Sequence, residues 1–319
     1  MGGAVEGRAG RDVRHRWVRA ASRMAIMALA VMSGGEVFAA DDADGAAGSW
    51  SPNLYLDLRT NYATVPANSL SIGLGSFSPF STLSNLRALI TAATPSAAPV
   101  LPALPTLSSP ASQNAWIDVP LTIDVSDRVS LYGGFTASAS DNGSGWSSLD
   151  VTSWNLGFQA DIYQQNGGYF PTVTLQTTVT RSMPNSPLIV TSLNNIVEFG
   201  YALDEDETRG WLAGVQHTKI DVDSPLARVN DNIVGWVGGY YQWPNNWKFT
   251  GRVGVQSFGG AQILRLTPFE PFTQPIVRLD LDRMDDNDNR LFGVTAQIAW
   301  VPKPSYTLTL RTPLYLVRN

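Results

Sequence analysis

From residue 116 to the end of the chain, apolar and polar residues alternate one for one in short runs. The connections between these runs are in turn a tight polar turn and a longer loop, except that the last outer connection, residues 302–305, is short. Successive side chains of a β-strand point to opposite faces, so each run has one oily and one wet face. A soluble sandwich shares that property. Strict alternation of short and long connections is what a membrane-crossing barrel adds, because its turns on one side of the bilayer are tight and those on the other are not.

Residues 1–39 read as a signal peptide. Arg8, Arg11, Arg14, Arg16, Arg19 and Arg23 form a basic region, the apolar run 24–32 follows, and Val37 and Ala39 stand as small residues before a cleavage site, with Ala40 as the neighbouring choice. The apolar run is shorter than the roughly 20 residues a membrane helix needs. Without its six Arg and three acids (Glu6, Asp12, Glu36), the 22 basic and 27 acidic residues of the whole chain fall to a net charge of −8. An acidic chain whose lysines are Lys219, Lys248 and Lys303 is a poor partner for nucleic acid. Cysteine is absent, so disulfides and thiolate metal sites are excluded in an exported protein. Beyond the leader no apolar stretch approaches helix-spanning length, which leaves strands as the only way across a bilayer.

The first run covers residues 53–64, with Leu54, Leu56, Leu58 and Tyr62 opposite Tyr55, Asp57, Arg59 and Asn61. Residues 65–113 break the rhythm with an Ala/Pro-rich insert carrying Pro95, Pro99, Pro102, Pro105 and Pro110. Proline removes ladder donors, so the insert is read as a long outer loop or a plug, with a short helix over 84–92 capped by Ser84. Further runs are expected at 116–125, 129–139, 152–163, 172–181, 193–203, 210–222, 233–243, 247–258, 276–282, 291–301 and 306–317. Gln165-Asn166-Gly167-Gly168 is a hairpin signal, because glycine accepts the positive φ of tight turns. The expectation is an all-β fold: an antiparallel transmembrane β-barrel of about 12 strands in residues 40–319, between filled eight-stranded barrels and wide porins. Trp243, Trp247 and Trp300 at strand ends, with Trp116 and Trp154 near strand starts, fit the aromatic belts of bilayer interfaces.

If lipid sees the oily faces, the lumen receives Asp57, Arg59, Gln159, Asp161, Gln176, Glu198, Lys248, Arg252, Arg278, Asp280, Asp282 and Arg311. A charge facing lipid at mid-depth costs about 2–4 kcal/mol, which favours this inward placement. These twelve are the candidate channel-lining residues. Their interleaved Arg and Asp either set a transverse field that selects solutes or pair to fill a narrow lumen.

Residues 150–187, DVTSWNLGFQADIYQQNGGYFPTVTLQTTVTRSMPNSP, resemble the outer-membrane proteins grouped as the meta-pathway phenol-degradation (putative transporter) family. The resemblance rests on Asp150, a strand from Trp154, the turn Asn166-Gly167-Gly168, Pro171, a second strand and Pro184. Residues 198–216, EFGYALDEDETRGWLAGVQ, are similar to it as well. The resemblance implies an outer-membrane channel for passive uptake or efflux of small, hydrophobic or aromatic solutes.

Other chemistry is sparse. His217 is the single histidine after the leader, with Val215 and Lys219 as its same-face neighbours, so no catalytic residue is assigned. The acidic runs 204–207 and 285–289 lack calcium-loop spacing and read as solvated hairpins, so neither a metal nor a cofactor is expected. The partners expected are outer-membrane lipid and a small-molecule solute. A structural or partner-binding barrel is the alternative, with a lipid-modifying barrel enzyme behind it.

Overall fold

The computed structural model describes residues 53–67, 111–141, 143–184, 189–224, 227–263, 270–286, 290–300 and 303–317. The expected signal peptide, most of the insert and its expected helix lie outside them. The strands are β1 (Asn53–Val65), β2 (Ser112–Ser126), β3 (Val129–Asp141), β4 (Asp150–Tyr163), β5 (Thr172–Ser182), β6 (Val190–Ala202), β7 (Arg209–Val222), β8 (Ala227–Val229), β9 (Asn232–Gln242), β10 (Trp247–Phe258), β11 (Ala261–Ile263), β12 (Phe272–Met284), β13 (Arg290–Trp300) and β14 (Pro304–Val317).

Among the described residues, twelve of these close into one antiparallel barrel in the order β1-β14-β13-β12-β10-β9-β7-β6-β5-β4-β3-β2. Closure comes from β1, which pairs on one side with β2 and on the other with β14 through a register that sets Arg59 against Arg311. A closed sheet has no edge, so every ladder group finds a partner inside the wall. Exceptions are local: one is a register shift at Leu56/Asp57 opposite Pro313, whose ring nitrogen has no hydrogen to give, and other shifts fall at Asp124/Ser126, Thr136/Ala137, Asp161/Tyr163 and Arg283/Met284. β8 and β11 form a separate two-stranded ribbon joining the β7–β9 and β10–β12 loops, and the sequence reading did not anticipate it. Strand β1 runs on to Val65 and β2 begins at Ser112, so the insert is slightly shorter than 65–113.

Burial alternates along the strands with the phase the oily and wet faces require. On β12, Ile276, Asp280 and Asp282 are buried, whereas Pro275, Leu279 and Leu281 are exposed. On β4, Leu156 is 62% exposed and its neighbour Asn155 only 4%. A closed barrel has two environments, so the buried set faces its interior and the exposed apolar set its outer wall. Leu121, Phe135, Leu156, Val237, Val253 and Leu308 belong to that outer wall. Soluble monomers rarely expose contiguous apolar surface of this kind.

Aromatic rings gather at both rims of the outer wall. Trp211, Tyr241, Trp243 and Phe292 lie at the end carrying the tight turns, with Tyr241 and Trp243 edge to face at 5.5 Å. Tyr62 and Tyr306 are exposed at the end carrying the long loops. Trp116 departs from the expected belt. It is 3% exposed and shares the inward parity of Asp118, so it packs inside the barrel and not at its rim.

The Asn-Gly hairpin forms as its residues require: Asn166 and Gly167 take φ of 38° and 73°, a pair of positive values that glycine adopts at no steric cost.

Candidate functional site: the barrel interior

The interior is built from two unlike walls. One is charged and occupies β10, β12, β13, β14 and β1. Its centre is Asp280, 4% exposed in its side chain, which accepts from Arg278 Nε and Nη2 at 3.0 and 2.9 Å, Arg252 Nη1 at 3.0 Å, Arg311 Nη2 at 3.0 Å and Thr295 Oγ1 at 2.5 Å. Arg311 Nη2 also donates to Asp282 Oδ1 at 3.0 Å. Arg290 Nε lies 3.0 Å from that same oxygen as an ion pair, without the angle of a hydrogen bond. Four guanidinium groups thus meet three carboxylates, because Arg252 reaches Glu198 on β6 at 3.4 Å as well. Arg59 faces Arg311 across the β1–β14 ladder, a like-charge pairing relieved by Asp57 at 3.5 Å from Arg59. The network continues through Asn61, which donates to Asp118 at 3.0 Å, and Thr136, which donates to the other Asp118 oxygen at 2.6 Å.

The loop-end half of the opposite wall, on β4 to β7, carries no such pairs among the described residues; Glu198 and Asp161 lie nearer its turn end. In a ring of twelve strands β14 lies opposite β6. There the inward residues are Asn155, Thr178, Thr180, Ser192, Asn194, Gln216 and Thr218, all buried and uncharged. Gln216 and Thr218 both donate to Asn194 Oδ1, at 2.8 and 2.9 Å. A buried apolar group, Ile196 on β6, Val234 and Trp236 on β9, Ile276 on β12 and Ala299 on β13, extends from this wall toward the charged one.

Glycines let the large inward side chains lie flat. A Cβ on Gly214 would meet the Trp236 indole, with Cε2 at 2.6 Å, and one on Gly157 would meet Tyr132 Cε2 at 2.6 Å. Tyr132 crosses Gly157 to reach Thr178 Oγ1 at 2.6 Å, and Trp236 crosses Gly214 to donate to Glu198 at 3.3 Å. Each ring thus covers a neighbouring strand where a side chain would otherwise stand, which keeps it against the wall and out of the axis.

All twelve candidate lining residues fall on the inward parity of their strands. Arg252, Arg278, Asp280, Asp282, Arg311 and Glu198 join one network. Asp57 and Arg59 form their own pair beside it. The other four stand apart, toward the turn end. Asp161 accepts from Thr174 at 2.8 Å, Gln159 is paired in register with Gln176, and Lys248 lies 4.7 Å over the Tyr240 ring. Asp118 and Arg290 belong to the charged wall and were missed. Asp118 was open to detection, since Ile117 and Val119 on either side point outward. Arg290 was not, because Arg290 and Phe292 pair with the consecutive Met284 and Arg283, so the phase of β13 changes at Leu291, just after it. His217 faces outward, paired in register with Asn195 and Ile233, and its ring Nε2 lies 3.0 Å from Asp231 Oδ2.

A closed antiparallel ring of twelve strands, apolar outside and hydrogen-bonded within, is the architecture of a membrane-type β-barrel. No family model matches the chain, and no curated protein is similar to it. Solved structures of similar fold include the COG4313 outer membrane channel from Pseudomonas putida F1 (10% identity, 85% of this chain and 100% of that one, TM-score 0.48). The translocator domain of autotransporter NalP from Neisseria meningitidis is another (11% identity, 90% and 96%, TM-score 0.44). A third is a Pseudomonas aeruginosa FadL homologue (8% identity, 82% and 90%, TM-score 0.33).

Proposed function

We propose that the chain is exported by its basic and apolar leader, inserts in an outer membrane, and passes small solutes passively through the barrel. The observation that carries this reading is the inversion of ordinary protein burial. Charged and amide side chains such as Asp280, Asp282, Gln216 and Gln256 are buried, while Leu156, Val237, Val253 and Val255 are exposed. Lipid is the solvent that makes such an exterior favourable, and a lumen is the place where such an interior has work to do. The twelve inward residues predicted from the sequence are proposed as the lining. The Arg and Asp groups around Asp280 oppose the uncharged loop-end half of β4 to β7, so a solute between them meets charge on one side only. The family resemblance of residues 150–187 is consistent with this reading, and the apolar group around Ile276 gives the hydrocarbon part of a solute a dry surface.

Swelling of liposomes carrying the purified protein tests it. Permeation of small solutes, falling off with solute size, is the expected outcome; liposomes as tight as protein-free ones would remove transport. A partner-binding barrel is the second reading, and one observation favours it. The β8–β11 ribbon ties two long loops together beside a recess of about 340 Å³ lined by Arg228, Asn230, Gln262 and Glu270.

A further inference from the structure

The loop-end half of the barrel interior, along the uncharged wall and on through β9 to the end of β10, has buried polar atoms that no described residue satisfies. Asn155, Thr180 and Ser192 stand side by side on β4, β5 and β6 through the register pairs Asn155↔Thr180 and Thr180↔Ser192. Beside them, Thr218 links Asn194 to Asn232 across β6, β7 and β9, and Val234 links Gln216 to Gln256 across β7, β9 and β10. Asn155 Oδ1, Thr180 Oγ1, Ser192 Oγ, Asn194 Nδ2, Asn232 Oδ1 and both amide atoms of Gln256 have no hydrogen-bond partner among the described residues. These six side chains are at most 4% exposed. One orphaned buried group is tolerable, but a set of them gathered on β4, β5, β6, β9 and β10 is what a wall looks like when its partners come from a bound molecule.

The chemistry of the set selects the ligand. Asn194 Nδ2 and Gln256 Nε2 donate, Asn155, Asn232 and Gln256 oxygens accept, and the hydroxyls of Thr180 and Ser192 do either. An anion would satisfy the donors only and a cation the acceptors only. A hydrocarbon would satisfy none and leave every group desolvated. A hydroxyl group is both donor and acceptor, and several on one small frame match a surface of mixed polarity without formal charge. The neighbouring side chains of Val234, Trp236 and Ile276 offer a flat apolar surface for the C–H face of such a frame.

We propose that this wall is a binding face for an uncharged solute bearing several hydroxyl groups, a small saccharide or polyol; the inference rests on the reading of the interior as a solute path. It differs from the hydrophobic cargo that the family resemblance implies.

Calorimetric titration of the folded, full-length protein in detergent micelles with maltose, glucose and toluene tests it, and heat-modifiable migration verifies the fold of each variant. Saturable binding of maltose or glucose is expected, weakened about tenfold in the Asn194→Leu, Gln256→Leu double variant, since two hydrogen bonds to a neutral ligand are lost. Three outcomes would overturn the site: no saturable saccharide binding, equal binding by the double variant, or binding of toluene alone. Ion current across planar bilayers separates this from the channel reading. Current without saccharide binding refutes the site and leaves the channel. Saccharide binding without current supports the site and removes transport.

Discussion

Asp280 shows how a charged side chain can be held inside a barrel. Its two oxygens take hydrogen bonds from three guanidinium groups and a threonine hydroxyl, so no lone pair faces the interior unmet. Removing the charge takes one carboxylate from three guanidinium groups at once and leaves Arg252 with Glu198 and Arg311 with Asp282. Asp280→Asn is therefore expected to lose about 3–5 kcal/mol of stability, the range for breaking a buried pair on one side, read as a lower urea midpoint in micelles at unchanged slope. Thr180→Val should behave in the opposite way. The Thr180 hydroxyl is buried without a partner among the described residues, and valine has nearly its shape, so the unliganded protein should be unchanged or slightly more stable. Gly214 carries the packing prediction. Any side chain there enters the volume of the Trp236 indole. Gly214→Val should cost about 1–3 kcal/mol from overpacking and shift tryptophan fluorescence as the ring is displaced.

At the scale of elements, the tight turns are held by their own side chains. In the β6–β7 turn Asp204 accepts from the Thr208 hydroxyl at 2.5 Å, the Thr208 amide at 2.8 Å and the Arg209 amide at 3.3 Å. The Thr208 hydroxyl, followed by these amides and the Arg209 charge, holds the Asp204 carboxyl below its ordinary value. A depressed carboxylate stabilises the turn at pH above the unfolded value, near 3.9, and that contribution is lost as pH falls through the folded value. Thr208→Val should move the Asp204 titration back upward, as followed by carboxyl-carbon NMR.

Twelve strands were legible in the sequence because each has enough residues to show a period of two. The β8–β11 ribbon was not, since three residues show no period and their pairing depends on loops brought together by the barrel. Trp116 was misplaced because an aromatic near the beginning of a run suggests a membrane rim. Its parity with Asp118, and a strand that starts four residues earlier, set it inside. The inward charges other than Arg290 were readable from alternation alone. Their gathering around Asp280 was not, because it depends on which strands become neighbours.

For the whole molecule, the decisive property is the reversal of burial across a sheet that closes on itself. Every strand contributes to it, so no single substitution tests it. The recess beside the β8–β11 ribbon, the charged wall and the uncharged wall all take their positions from that closure. Heat-modifiable migration of the protein extracted by detergent from a membrane fraction addresses closure and lipid solvation together. The account predicts that the protein is recovered only in that fraction, and that unboiled samples migrate differently from boiled ones. Recovery in the soluble fraction without detergent, with identical migration before and after boiling, would contradict it.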